Sequence, residues 1–201
     1  MTDTNMYGFP RVLVDSDYKR LGPHLITPFE PDLVQPASID VRLGREALVP
    51  VTELDRQPPL SVDLRTVNPA YMMRRETLED SGYGLEPGTC LLVSTLERVS
   101  CPNDMICSVE GKSTIARCFV ATHVTAGFID PGFSGVVTLE LVNHGPWRFV
   151  LRPGMRIAQL RFHWLGVAAE RPYGSPGLGS RYQGAATVQA AEGPGRRSDE
   201  R

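Results

Sequence analysis

The sequence predicts a mainly β fold, a β-sandwich or jelly roll with short helices, and three observations carry that expectation. Short stretches alternate apolar and polar side chains with the period of a strand, as in Ile39, Val41 and Leu43 against Ser38, Asp40 and Arg42. Pro-Gly pairs at 87–88, 131–132 and 153–154 punctuate these stretches where a chain turns back. Helical periodicity is almost absent, and many short strands joined by regular turns build sandwiches and jelly rolls. The 201 residues, 41% hydrophobic and 22% charged, suit one globular domain with a sizeable core.

In chain order, residues 1 to 34 are rich in Pro and mixed charge, and only Asp15 to Leu21 offers a short helix start. Ala37 to Leu43 is a strand, and Asp40 and Arg42 on its polar face read as a solvated face with a cross-strand ion pair rather than as catalytic groups. From Val51 to Tyr83, Pro pairs, Asn68-Pro69 and Met72-Met-Arg-Arg-Glu predict a loop-rich excursion with a helical turn or two. Gly84 to Pro102 resumes a rhythm of strand, turn and strand, and Arg148 to Phe162 repeats it about Pro153-Gly154. After Gly166 the composition shifts to Pro, Gly, Ser and Ala, and the tail from 185 to 201 is expected to be disordered.

A net charge of −2 gives no electrostatic case for a nucleic-acid or anionic-membrane partner. No run of about 18 apolar residues exists, and Met1-Thr-Asp-Thr-Asn lacks the basic start and apolar core of a signal, so the expected location is cytoplasmic. Cys90, Cys101, Cys107 and Cys118 form no C-x-x-C pair and read as buried, reduced thiols. None of His24, His123, His144 or His163 stands in the H-x-E and P-C-x-x-C setting of a zinc nucleobase deaminase, so no zinc site is expected.

Polar residues concentrate between Glu110 and Asn143. Val137, Leu139 and Leu141 alternate with Val136, Thr138, Glu140 and Val142. On a solvated face Glu140 is an ordinary strand carboxylate; on a covered face burial would raise its pKa and let it carry protons near neutrality. Gly111-Lys-Ser-Thr114, followed by Arg117, offers a cation and hydroxyls suited to phosphate, but a P-loop needs another Gly where Ile106 and Cys107 stand. Pro131-Gly132 fits the centre of a type II hairpin turn, which would bring Asp130 and Phe133 together; taken alone they read as a turn Asp and a core Phe.

Gln35 to Gly44 (QPASIDVRLG), Glu110 to Arg117 (EGKSTIAR), His123 to Gly135 (HVTAGFIDPGFSG) and Thr138-Leu-Glu140 together resemble the signature blocks of the dCTP deaminases of the dUTPase superfamily. The resemblance spans roughly Gln35 to Gly184 and implies a distorted jelly roll, a homotrimer, and a single domain over 1–184 with a C-terminal lid at 172–184. It implies hydrolytic deamination of dCTP to dUTP and ammonia, supplying dUMP for thymidylate synthesis. Glu140 would be the proton carrier, the Ala126 carbonyl would hold the water, and Ser113 and Arg117 would orient it. Asp130 would accept from the deoxyribose 3′-hydroxyl and Phe133 would pack where a 2′-hydroxyl would sit. Lys112, Thr114, Tyr173, Arg181 and Gln183 would meet the phosphates, with Mg²⁺ held by the triphosphate and no metal bound by the protein itself. Arg181 stands where the family usually has Lys, and Ala185 where it usually has Gln.

Four alternatives stand beside that activity. A bifunctional enzyme would also cleave dUTP to dUMP and pyrophosphate, and Gly127-Phe128 after Thr125-Ala126 resembles such members, whereas enzymes that only deaminate often carry His-Arg there. The others are a dUTPase, which would not need Glu140, an enzyme for a modified or monophosphate cytosine nucleotide, and a non-catalytic regulator, which should have lost Glu140 or Arg117.

Overall fold

The computed structural model describes residues 9–51, 63, 65–66 and 68–192. The elements run β1 (Arg11–Val12), α1 (Asp15–Leu25), β2 (Ile26–Thr27), a 3₁₀ turn at Pro31–Leu33, β3 (Val34–Gln35), β4 (Ser38–Pro50), a second 3₁₀ turn at Pro69–Met72 and β5 (Met73–Thr77). There follow β6 (Tyr83–Leu85), β7 (Cys90–Ser100), β8 (Met105–Gly111), α2 (Ser113–Ala116), β9 (Val120–Ala121), β10 (Phe128–Ile129), β11 (Ser134–Asn143), β12 (Phe149–Leu151) and β13 (Arg156–Trp164).

The fold is mainly β, as expected. Its main sheet is antiparallel, ordered β10-β8-β13-β4-β7-β11-β9, with β12 and β6 forming a separate pair. The 13-residue β4 makes the sheet curl. Its first half pairs with β13, Asp40 opposite Gln159, while its second half pairs with β7, Ala47 opposite Val93, and with β5. The core closes inside this curl: Ile39, Val41, Leu43, Leu139, Leu141, Leu160 and Phe162 all lie within it, essentially without exposure. Burying one such side chain contributes roughly 1.5–3 kcal/mol, which is why the alternation of β11 dictates which of its faces points inward.

Several sequence expectations need correction. The three Pro-Gly turns form, but they do not close hairpins: β6 pairs with β12 rather than β7, β10 with β8 rather than β11, and β13 with β4, β8 and β1 rather than β12. A turn's chemistry is local, whereas the choice of partner strand is made by the curl. Of the expected loop-rich excursion, 52–62, 64 and 67 lie outside the described residues; the expected helical turn is present as the 3₁₀ turn at Pro69–Met72, while Met73–Thr77 is a strand on β4. Cys101 and Cys107 are buried, but Cys90 and Cys118 are exposed, and all four thiols are free.

Asp40 is not on a solvated face. It is fully buried and accepts from Lys112 Nζ (2.8 Å), Gln159 Nε2 (3.1 Å) and Arg156 Nη1 (3.2 Å), donors whose approach compensates its lost hydration. Arg42 does make the expected cross-strand ion pair, but with a buried carboxylate, Glu97 (2.6 Å), and also with Glu30 (2.7 Å). Burial works against the Arg42 guanidinium, yet Glu97 and Glu30 more than offset it and hold its pKa above the ordinary value.

The tail also departs from expectation. Residues 185–192 lie against the molecule, with Ala185 and Val188 buried, because these apolar side chains gain by leaving water. Residues 193–201 fall outside those described.

Candidate active site

β11 supplies the floor. Its alternation leaves Val136, Thr138 and Glu140 half-buried on one face while Val137, Leu139 and Leu141 fill the core on the other. Between Val136 and Thr138 the ladder to β7 shifts register, and there the Val137 amide donates to the Thr95 hydroxyl (3.0 Å) instead of to a strand carbonyl. Past this irregularity Glu140 stands opposite Leu92 of β7. Glu140 Oε2 accepts from the Val124 amide (3.2 Å), which ties the 124–126 segment to the carboxylate.

The turn at 130–133 forms one wall. Gly132 has φ +88°, the left-handed conformation that the third position of a type II turn requires, and the Phe133 amide donates to the Asp130 carbonyl (3.2 Å). The end of β7 clamps this turn: the Gly132 amide donates to the Cys101 carbonyl (2.9 Å), and the Cys101 amide to the Phe133 carbonyl (2.8 Å). Burial, with Asp130 and Asp104 nearby, pushes the Cys101 thiol up to about 12, so it stays protonated and donates to the Met105 carbonyl (3.2 Å). It serves the wall, not as a nucleophile.

The C-terminal segment forms the cover. The Tyr173 ring meets Phe133 edge-on, with centroids 5.8 Å apart, and its hydroxyl accepts from the Tyr182 amide (3.0 Å). Gln183 grips the turn from both sides: Nε2 donates to the Gly132 carbonyl (3.0 Å), and Oε1 accepts from the Ser134 amide (3.1 Å). Beyond it the Val136 amide donates to the Ala185 carbonyl (2.9 Å), and the Gln189 amide to the Thr138 hydroxyl (3.2 Å).

Floor, wall and cover enclose a cavity of about 560 Å³ whose lining includes Ala126, Asp130, Phe133, Thr138, Glu140 and Tyr173. That volume suits a small organic ligand. A more open depression of about 500 Å³ adjoins it, sharing Asp130, Tyr173 and Tyr182 and adding Ser180, Arg171 and Arg181. The pair thus offers a largely apolar chamber lined by two carboxylates, Glu140 on its floor and Asp130 on its wall, continuing into a shallower trough that holds Arg171 and Arg181.

The sequence-predicted residues therefore divide. Glu140, Ala126, Asp130, Phe133 and Tyr173 converge on the chamber, Arg181 lies in the trough, and Gln183 holds the turn without lining either. Lys112, Ser113, Thr114 and Arg117 line neither. Ser113, Thr114 and Arg117 are exposed on and beside α2, and Lys112 is bound to Asp40. Among the described residues no Lys or Arg lines the chamber itself. Sequence reasoning missed Arg171, Tyr182 and Gln189, which sit in a compositionally plain segment with no periodic pattern to single them out. Among the described residues no three His, Cys, Asp or Glu side chains assemble into a metal-ligand set.

A family model described as dCTP deaminase-like matches residues 13–165. A dCTP deaminase, dUMP-forming, from Thermobifida fusca is 48% identical over 159 residues, 79% of this chain and 79% of that protein. The protein so named from Streptomyces coelicolor is 47% identical over 159 residues, 79% of this chain and 81% of its own length. Among solved structures, the 2′-deoxycytidine 5′-triphosphate deaminase from Agrobacterium tumefaciens superposes with a TM-score of 0.61 at 26% identity, covering 77% of this chain and 48% of that one. Tyr173, Arg181 and Gln183 lie beyond the stretch matched by the family model.

Proposed function

Because the chain belongs to the dCTP deaminase-like family, we propose that it hydrolyses the 4-amino group of dCTP and carries the product on to dUMP. The observation that carries the first step is Glu140, a half-buried carboxylate on the floor of a chamber that Asp130 and Phe133 also line. Glu140 takes a proton from a water that the Ala126 carbonyl also holds, and the oxygen bonds to C4 of the cytosine. Glu140 passes that proton to N3, takes the second one from the new C4 hydroxyl and hands it to the exocyclic nitrogen, and the C4–N bond breaks as the C4 carbonyl forms, leaving dUTP and ammonia. Asp130 binds the 3′-hydroxyl, and Phe133, fixed by Tyr173 and the core, packs on the sugar. The triphosphate runs into the trough toward Arg181, Arg171 and Ser180.

A triphosphate needs more cations than one chain supplies here. We infer that a neighbouring copy presents Lys112, Ser113, Thr114 and Arg117, the exposed group on and beside α2, to complete the site within a homotrimer. Segment 172–184 is then a lid, extended by 185–192. Mg²⁺ fits as a partner of the triphosphate oxygens, since the described residues offer no cage of their own for it. No described helix is long and apolar enough to span a membrane; a location in the cytoplasm is part of this proposal.

The second step, attack of water on the α-phosphorus with departure of pyrophosphate, goes beyond an enzyme that stops at dUTP. It is favoured by the dUMP-forming relatives. The space beside Ala126 gives less support. A Cβ on Gly127 would lie 3.0 Å from the Val109 carbonyl and 3.1 Å from the His123 ring, so glycine there serves backbone approach to β8 rather than room for a second water.

Incubation with dCTP, CTP, dCMP and dUTP, following ammonia and pyrophosphate separately, tests the reading. The expected result is both products from dCTP, pyrophosphate from dUTP, little turnover of CTP or dCMP, and loss of at least 10²-fold in deamination for Glu140→Gln. Ammonia without pyrophosphate would leave a deaminase that releases dUTP.

A further inference from the structure

One buried polar atom beside the chamber is left without a partner. Gln189 lines the cavity, and its Oε1 is buried with no hydrogen-bond donor among the described residues. A buried acceptor left unpaired is unfavourable, and sites of this kind belong to ligands or bound water. The position of Gln189 is not accidental to a loose tail. Val188 before it is fully buried, its own amide is held by Thr138 (3.2 Å), and Ala185 is bonded to Val136 on the same floor strand. Further on, Arg181 Nη1 donates to the Glu192 carbonyl (2.8 Å), closing the segment back on the trough.

The chemistry of the orphan atom selects what it can meet. A carbonyl oxygen accepts and cannot donate, so phosphate oxygens cannot satisfy it. Thr138 precedes Glu140 by two residues on one face, about 7 Å along the strand, which is within the length of a nucleoside. The available donors are the N–H and O–H groups of the base and sugar. We propose that Gln189 is a specificity-determining residue of this site, its Oε1 accepting a hydrogen bond from the nucleoside half of the bound nucleotide. The proposal rests on the nucleotide reading above.

Calorimetric titration with dCTP, and competition by inorganic tripolyphosphate, should be compared for the full-length wild-type protein and Gln189→Met, which keeps an unbranched side chain of similar size. The expected result is roughly tenfold weaker dCTP binding with unchanged tripolyphosphate affinity and an unchanged melting temperature. Gln189→Ala, which removes packing as well, should weaken dCTP at least as much and again spare tripolyphosphate. Unchanged dCTP affinity in Gln189→Met would overturn the proposal, and so would an equal loss for dCTP and tripolyphosphate, which would make Gln189 a determinant of tail closure alone. Failure of the wild type to release ammonia from bound dCTP would count against the function reading and leave the binding comparison intact as the test of Gln189.

Discussion

Two carboxylates in this protein look alike in sequence, one on each of two alternating strands, and differ entirely in surroundings. Asp40 is closed off and surrounded by Lys112, Arg156 and Gln159, so nothing remains of it for a ligand. Glu140 accepts one backbone hydrogen bond and faces a cavity, which leaves capacity to take a proton. A third carboxylate, Asp17, makes a purely structural case with a measurable pH signature. Hydrogen bonds from Arg11 (2.6 and 2.9 Å) hold its pKa at about 2, below the ordinary 3.8, with the Val14 amide (3.0 Å) assisting against burial. Its folded pKa is depressed, so its contribution is full above about pH 4 and is lost as pH falls through about 2. Asp17→Asn should therefore cost about 2.5 kcal/mol at pH 7, the equivalent of lowering the carboxyl from 3.8 to about 2 at about 1.4 kcal/mol per pH unit. In urea unfolding the gap to wild type should narrow steadily between pH 4 and pH 2; a gap independent of pH would mean that the carboxylate charge is not what matters.

At the scale of elements, the site is made by segments that lend each other rigidity. The 130–133 turn is held by Cys101 on one side and Gln183 on the other, so the wall that carries Asp130 and Phe133 depends on both β7 and the tail. The tail in turn is pinned at Val188, which is fully buried 24 residues past Trp164, the end of β13. Because the tail contributes no strand to the sheet, its docking can fail without the fold failing. Val188→Ala removes buried methyl groups and should weaken docking by roughly 1–2 kcal/mol. The expected outcome is protease cleavage within 185–192 about tenfold faster and a raised KM for dCTP, with the melting temperature nearly unchanged. Cleavage at the wild-type rate would show that the tail is held by its hydrogen bonds and not by this side chain.

For the whole molecule, the decisive feature is the division of the predicted site between two surfaces of one chain. The chamber has a proton acceptor and, among the described residues, no cation, while Lys112, Ser113 and Arg117 belong to a group outside it. The homotrimer proposed above, with sites shared between neighbours, would resolve this. Light scattering should give about three times the 22.1 kDa chain mass. Mixing inactive Glu140→Gln and Arg117→Ala chains through an unfolding and refolding cycle should restore part of the activity, since some mixed sites regain both residues. An active monomer, or mixtures that stay inert, would place all the chemistry within one chain.

The strand alternation of β11, the turn at Pro131-Gly132 and the short helix after Asp15 were readable from sequence, because side-chain period and turn chemistry are set by neighbours a few residues away. The chemical identity of Glu140, Asp130 and Phe133 as a set was readable too, through their resemblance to family blocks. Pairing partners were not. The Pro-Gly turns suggested hairpins, but β4 bends from one half of the sheet to the other and gives each strand a partner distant in sequence. Burial of Asp40 and Glu97, the strand at Met73–Thr77 and the docking of Val188 all depend on that curl. Gln189 shows the limit most plainly: in sequence it is one polar residue in a tail of small ones, and only the tertiary structure removes its oxygen from water without supplying a partner. Local propensity determines what a segment can be, but the free energy of burying an atom depends on what the rest of the chain brings to it.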